Sequence, residues 1–476
     1  SECLRLMLSI MAGNRGQGMG LMYADVSRAY FYAPAKRPVY VKLPDEDRED
    51  GDEHRCGKLL MSMYGTRDAA LNWSLEYSET LVAAGYTQGR SNSCLFHNKE
   101  LGVSVMVHGD DFLGIGPENH LESLRGTLED KYKLKVERLG RQDGQKSEIR
   151  ILNKIIRMTD DGIEMEADPR HAEIAIRELG LEGCKPAATP GAKESAKGDT
   201  DEATDGSGRK RSSQTAARMK VQEELEREGE EEGIALSAID EARNSAGEGN
   251  EWGIKRSVND EYGDDELLGP AEAKLYRAVA ARLNYIAPDR ADIAFAVKES
   301  ARSMSAPRTS DLKRLKRIGK YLIGKPRLIM SFKWQDMPGT ITTFTDSDWA
   351  GCARSAKSTS GGAVCIGEHV LKTYSKQQKV IAFSSAEAEL YAMVCASAET
   401  LAMAAYARDL GLEMECELYC DSAAALGIAQ RAGIGKVRRL RTQGLWVQEV
   451  RVTGRITYRK VLGEKNPDRK STRLNS

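Results

Sequence analysis

The chain has 476 residues, enough for about three domains at roughly 150 residues each. Its 41% hydrophobic and 6% aromatic content fills cores with aliphatic side chains, and 30% of the residues are charged. There is no run of about 18 uncharged apolar residues and no leader with a cleavage site, which argues against membrane and secretory classes.

Nine Cys lie scattered, with only Cys416 and Cys420 close together, so the sequence suggests neither a disulfide framework nor a zinc site. A start at Ser1 rather than Met suggests a piece of something longer. The formal net charge of -1 is unevenly spread: residues 191–270 hold 21 Asp and Glu against 11 Lys and Arg, a balance of -10. That leaves 59 basic and 50 acidic residues elsewhere, a balance of +9, compatible with a polyanionic partner and equally with ordinary solvated surface.

Taken in chain order, residues 1–190 mix strand-like runs such as VSVMVH (103–108) and FLGIG (112–116) with helical text such as HAEIAIRELGLEG (171–183). The fold class read from this is α+β. Residues 191–265 become rich in Gly, Ser, Glu and Lys and read as a disordered acidic linker. Residues 266–337 read as a helical connection. Its last helix, DLKRLKRIGKYLIGK, puts Leu312, Leu315, Ile318 and Leu322 on one side, with Lys313, Arg314, Lys316, Arg317 and Lys320 elsewhere. Such a basic face either tracks a phosphate backbone or is simply solvated. Residues 338–467 alternate strand-like text (ITTFTDSD, GGAVCI, LKTYS, ELYCD) with one long helical stretch, a mixed α/β pattern.

Two acidic constellations stand out. The strand-like LMYAD ends in Asp25, and VSVMVHGDDFLGIG places Asp110 and Asp111 in a tight turn between two apolar runs. Adjacent carboxylates repel one another, and with no His or Cys cluster nearby they favour Mg2+ or Mn2+. Asp25 brought beside them makes a ligand set able to clamp attacking and leaving oxygens in phosphoryl transfer. An Asp-Asp turn is by itself also ordinary turn chemistry. The second constellation is Asp346 and Asp348 in FTDSDWAG, Glu387 and Glu389 in SSAEAEL, and Asp421 in LYCDSAAAL. Separately, Ser384 or Ser385 with Glu387 reads as a helix-start cap and Asp421 as an N-cap.

The ordered set ADVSRAYFYAP, MYGTRDAALNW and VHGDDFLG resembles the reverse transcriptase of copia-type long-terminal-repeat retrotransposons. Asp25, Val26, Ala29 and Tyr30 match the first motif, Tyr64, Gly65, Arg67, Ala69 and Trp73 the second, and Asp110 and Asp111 the third. VERLG (136–140) and LEGCKPAATP (181–190) extend the agreement to the linker. The resemblance implies a partial polymerase palm in which Asp25, Asp110 and Asp111 are catalytic and hold two Mg2+ (or Mn2+) ions. It also implies that Tyr30, as a steric gate, and Arg67 contact substrate. Asp68 stands where the family has Gln, a negative charge near an incoming triphosphate.

The second constellation, with Ser358, Thr359, Ser360, Gly361, Ser375, Lys376, Gln378, Cys420 and Asp421, is similar to the ribonuclease H of the same elements. That likeness implies an RNase H-like domain in which Asp346, Glu387 and Asp421 are catalytic, again with two metal ions, while Asp348 and Glu389 support them. LYRAVAARLNYIAPDRADIAFAVKESARSMSAP resembles the family's connection; on the basic face of the helix that follows, Lys313 and Arg317 are the candidate substrate contacts. Arg439 stands where the nuclease has His. Residues 468–476, DRKSTRLNS, read as a translated sequencing adapter, so Asp468 is not counted as a fourth carboxylate.

The implied function is RNA-directed DNA polymerase with ribonuclease H activity. Its partners are RNA template, DNA primer, RNA–DNA hybrid, dNTPs and the other polyprotein products (gag, protease, integrase), with no membrane. The implied place is intracellular, in a cytoplasmic virus-like particle and the nucleus. Two other readings stay open from residues alone: an inactive remnant or assembly artefact, favoured by Asp68 and Arg439, and a non-catalytic nucleic-acid-binding protein.

Overall fold

The computed structural model describes residues 2–14, 18–49, 51–52, 54–191, 265–352, 355–433, 442–464 and 466. Nearly all of the expected linker, together with Arg439 and Asp468, lies outside them. The described residues up to 191 and from 266 onward form one compact unit.

The chain opens with helix α1 (Glu2–Gly13), whose residues are buried on every side except at Glu2. A helix apolar all round belongs inside a core, and α1 is a shared spine against which several layers pack. After it run β1 (Met19–Val26), the short pair β2 (Tyr40–Lys42) and β3 (Cys56–Lys58), α2 (Ala69–Ala83), β4 (Thr87–Gln88) and β5 (Leu95–Asn98). Then follow β6 (Val103–His108), β7 (Asp111–Pro117), α3 (Glu118–Glu129) and β8 (Leu134–Leu139). The first sheet has the order β4-β5-β6-β7-β1-β8. It is covered on both faces, which explains the continuous apolar runs of β6 and β7. Alternate side chains enter two different cores: Leu21, Met106, Leu113 and Ile115 join α1, and Met22, Val105, Val107 and Phe112 join α2 and α3 through Trp73, Tyr77 and Leu124.

A second sheet joins segments on both sides of the 192–264 stretch. Strands β9 (Glu148–Ile151), β10 (Lys154–Met158) and β11 (Gly162–Ala167) are followed by α4 (Arg170–Glu178), then α5 (Pro270–Ile286), α6 (Ala291–Ala301), α7 (Thr309–Gly324) and β12 (Met330–Lys333). The order is β12-β11-β10-β9, and α4 shares a core with α5–α7 through Ala172, Ala175, Leu283, Ile293 and Leu315. Helix α4 thus packs with the connection helices and β11 pairs with β12, while Ile149, Ile156 and Ile163 of β9–β11 join the α1 core. The apolar side of α7 is as expected, with Leu315, Ile318 and Leu322 buried.

The C-terminal module comprises β13 (Thr340–Asp348), β14 (Thr359–Ile366), β15 (His369–Gln377), α8 (Ser385–Asp409), β16 (Glu415–Cys420), α9 (Ala423–Gln430), α10 (Trp446–Val452) and β17 (Thr457–Lys460). Its sheet has the order β15-β14-β13-β16-β17, with β13, β16 and β17 mutually parallel. Helices and strands are mixed throughout, as the α+β reading expected, and the C-terminal module has the mixed α/β pattern expected of it. Helix α8 is long and apolar enough to span a bilayer by length and composition. In this fold it is the central helix of the module, with Leu390, Met393, Ala396 and Met403 in the core.

Three layers meet at Asp289, buried with 4% of its side chain exposed. Its Oδ1 accepts from Arg5 of α1 at 2.6 Å, and its Oδ2 pairs with Lys154 of β10. Arg5 also donates to the carbonyl of Leu371 on β15 at 2.9 Å. Burial pushes the Asp289 carboxyl up, but Lys154 and Arg5 outweigh it and hold it below the ordinary carboxylate range. A carboxylate whose folded value is depressed contributes stability above its unfolded value, and that contribution is lost as pH falls through the folded one. Asp289→Asn strands two buried cations and should cost about 3–5 kcal/mol at neutral pH. The deficit should shrink on acidification below about pH 4, where the parent also loses the pair; urea titrations at pH 7 and pH 3 giving one constant difference would contradict this.

Candidate active sites

The first acidic group forms because β6 and β7 are joined by a two-residue turn, Gly109-Asp110, with His108 opposite Asp111. Gly109 takes φ +66°, which such a turn needs at its first position and which suits glycine. The turn is pinned from two sides. The Trp73 indole Nε1 donates to the Gly109 carbonyl at 2.8 Å, and the Val26 amide donates to the Asp110 carbonyl at 3.0 Å. The aromatic residue of the second motif therefore shapes the turn of the third.

Strand β1 runs antiparallel to β7 with Asp25 opposite Asp111, and to β8 with Asp25 opposite Lys135. Asp25, Asp110 and Asp111 are thus brought together as expected. The Tyr23 hydroxyl, two residues before Asp25 on the same strand face, donates to Asp111 Oδ1 at 2.5 Å. Burial raises the Asp111 pKa, the Tyr23 bond opposes this, and the neighbouring Asp110 and Asp25 raise it further. The nearest paired cation is Lys135, 3.8 Å from Asp25 and largely exposed. Crowded hard oxygens with so little compensation suit a divalent cation such as Mg2+ or Mn2+.

Tyr30 follows Arg28, which sits in the left-handed region at φ +60°. The Tyr30 ring packs on Tyr64 at 4.4 Å between centroids. The negative charge of Asp110, after burial, raises the Tyr64 hydroxyl pKa, so this aromatic pair borders the carboxylates. Arg67 is exposed just before α2. Asp68 lies 3.0 Å from Arg37; burial opposes the effect, but Arg37 holds its carboxyl low. The charge that seemed misplaced in the sequence has a cation beside it.

The second group forms at the C-terminal ends of two adjacent parallel strands, β13 and β16, which pair Thr345 with Cys420. Asp346 and Asp421 follow these partners directly, and the start of α8 lies beside them. The carboxylate that α8 brings to them is Glu389. Its Oε1 accepts from the Ser347 amide at 3.2 Å. Glu389, Cys420 and Asp421 offer ligand atoms within 4.8 Å of one another, the one such group of three among the described residues. Burial first, then the charges of Asp346 and Asp421, push the Glu389 pKa up to about 8. Burial also pushes the Cys420 thiol well up, keeping it protonated, so oxygen is the donor here and a hard divalent cation fits.

This corrects the expectation for Glu387. The Ser384 hydroxyl accepts from the Glu387 amide at 3.2 Å, while the Glu387 carboxylate accepts from the Phe383 amide and the Tyr391 hydroxyl, each at 2.9 Å. Glu387 is the cap residue that the local pattern suggested. Two residues on, about 200° round the helix, Glu389 faces the strands instead. Asp421 is not an N-cap: Ser422 caps α9, accepting from the Ala425 amide at 3.2 Å.

The expected substrate contacts on α7 divide. Lys313 is exposed. Arg317, expected to meet substrate, instead donates to the Gly191 carbonyl at 3.0 Å and the Thr189 hydroxyl at 2.9 Å, tying down the end of the N-terminal segment.

With this geometry in view, residues 1–190 match the family model described as reverse transcriptase (RNA-dependent DNA polymerase). The chain is similar to copia-type Pol polyproteins of retrotransposons. It is 32% identical over 166 residues to the retrovirus-related Pol polyprotein from transposon RE1 of Arabidopsis thaliana, covering 34% of this chain and 11% of that one. It is 20% identical over 449 residues to the counterpart from transposon TNT 1-94 of Nicotiana tabacum, covering 93% of this chain and 29% of that one. The chain thus spans less than a third of either relative. Among solved structures, a foamy viral protease-reverse transcriptase in complex with RNA/DNA hybrid aligns with a TM-score of 0.46 at 11% identity, covering 97% of this chain and 46% of that one.

Glu389, with a folded value of about 8 against an ordinary 4.5, makes stability fall as pH rises between those values, because the native state then holds the extra proton. In chelator, Glu389→Gln should remove that fall and be more stable than the parent above pH 8 by a few kcal/mol at most. Parallel melting curves for the two proteins from pH 5 to pH 9 would contradict this.

Proposed function

We propose that this chain polymerises DNA on an RNA template at Asp25, Asp110 and Asp111 and hydrolyses the RNA of an RNA–DNA hybrid at Asp346, Glu389 and Asp421. The observation that carries the reading is that Asp25 stands opposite Asp111 beside Asp110, and that Glu389 lies with Asp421 and feels the charge of Asp346, in a chain whose first 190 residues match the reverse transcriptase family model. Divalent ions bound by these oxygens would lower the charge density of the phosphates and activate the attacking oxygen.

The chain's own residues do the rest. Trp73 and the Val26 amide fix the turn, so Asp110 and Asp111 present their oxygens from a rigid hairpin. Tyr23 engages Asp111 Oδ1, so Oδ2 would be the oxygen with which Asp111 holds an ion. Tyr30 on Tyr64 forms an apolar wall where an incoming sugar would lie. In the second site, the Ser347 amide orients Glu389 between the two Asp residues. The partners of this reading are RNA template, DNA primer, hybrid and dNTPs. By the same family likeness it extends to gag, protease and integrase products, in a cytoplasmic particle and the nucleus. The Arg37–Asp68 pair weakens the case for an inactive remnant, since the negative charge has a cation to compensate it.

Primer extension on RNA and cleavage of a labelled hybrid, run in parallel, test the assignment. Asp110→Asn should abolish extension and spare cleavage, and Glu389→Gln should do the reverse, each by at least a hundredfold. Glu387→Gln should lower the melting temperature through its cap and keep cleavage within about tenfold. Cleavage lost in Glu387→Gln and kept in Glu389→Gln would overturn the nuclease assignment.

A further inference from the structure

The last residue of α8, Asp409, makes a contact that the two sites do not explain. Its carboxylate accepts from three successive backbone amides of the β4–β5 loop: Arg90 at 3.0 Å, Ser91 at 2.8 Å and Asn92 at 2.9 Å. Neighbouring Gly89 has no room for a side chain, since a Cβ there would lie 2.7 Å from Asp409 Oδ2. Just beyond the helix, Gly411 turns with φ +83° directly against His97 of β5. A carboxylate at a helix C-terminus is disfavoured by the helix dipole, and here three amides from the other module compensate it. Charge-assisted bonds of this kind are directional as well as strong.

The two ends of this contact lead to the two sites. Glu389 lies on the same helix 20 residues earlier, about 30 Å away along a rigid rod. On the other side, the loop runs into Cys94, whose carbonyl accepts from the Val107 amide at 2.8 Å. Val107 is three residues before Asp110 on the strand that ends in the Gly109-Asp110 turn. One helix and one strand pair, pinned at Asp409, therefore join the two acidic groups.

We propose that Asp409 is a positioning residue: by seating in the amides of residues 90–92 it adds a directional polar lock beside the shared α1 core, and this lock sets the exact span between the nuclease and polymerase sites. This rests on the functional reading above only for its consequence on substrate, not for the fastening itself. With the span fixed, a hybrid held at the polymerase site is presented to the nuclease site at one place, so RNA cuts fall at a set distance from the primer terminus.

Two readouts test it on the full chain, with Glu413→Gln, an exposed residue just beyond the same helix, as control. Spin labels introduced through unnatural amino acids at exposed Lys99 and Lys460 should give one narrow distance distribution by pulsed electron paramagnetic resonance in the parent and control. The distribution should be at least twofold broader in Asp409→Ala, with Asp409→Asn, which keeps one acceptor oxygen, in between. On a primed hybrid, the parent should cut within a narrow window, whereas Asp409→Ala should cut over at least twice that range while extension and total cleavage stay within twofold. An unchanged distance distribution in Asp409→Ala overturns the fastening, and an unchanged cut window with a broadened distribution overturns its role in spacing. A parent that neither extends nor cuts counts against the functional reading, and the distance measurement still decides the role of Asp409.

Discussion

The architecture depends on a carboxylate that cannot be left alone. Asp289 is almost fully buried, and an isolated charge in that position costs more than folding can supply. Its partners come from α1 and β10, and Arg5 reaches on to β15, so residues 5, 154, 289 and 371 are brought to one point. An arrangement that satisfies all of them places the apolar helix α1 at the centre, with the first sheet, the second sheet and the C-terminal module packed round it. The strand ends that carry the acidic groups inherit their places from that packing.

Four further carboxylates differ in the sign of their shift. Glu166, despite burial, is held low by Arg327 and Arg157, and Asp168 is held low by Arg170 and Arg150; both brace the second sheet. Asp111 and Glu389 are raised, by burial and then by other carboxylates. A group that the fold keeps next to like charges is a cost that structure alone does not explain, and such groups concentrate where chemistry is done. The same fold thus sets Arg and Lys beside Asp289, Glu166 and Asp168, and other carboxylates beside Asp111 and Glu389.

Much of this was legible in the sequence, for local reasons. The Gly-Asp-Asp turn between two apolar runs specifies its own hairpin, and the Leu315, Ile318 and Leu322 side of α7 follows from helical period. What sequence did not yield was set by contacts between distant residues. Glu387 and Glu389 are both plausible ligands in SSAEAEL, and only the placement of α8 against β13 and β16 shows which faces Asp346. The clue was local after all: the Ser384–Glu387 cap pattern already gave Glu387 a use. Arg317 looked like a phosphate contact because nothing in its helix announces that Thr189 and Gly191 will lie beside it. The Arg37–Asp68 pair, 31 residues apart, and the Asp409 seat, more than 300 residues from its amides, have no signature in sequence.

The central claim is that two separate sets of oxygens, Asp25 with Asp110 and Asp111, and Asp346 with Glu389 and Asp421, are built for hard divalent ions. Anomalous scattering from crystals of the protein soaked in Mn2+ tests it most directly. The account predicts manganese peaks at both groups, the second bonded to Glu389 and not to Glu387. Peaks at neither group, or manganese held by Glu387 with Glu389 turned away, would contradict it.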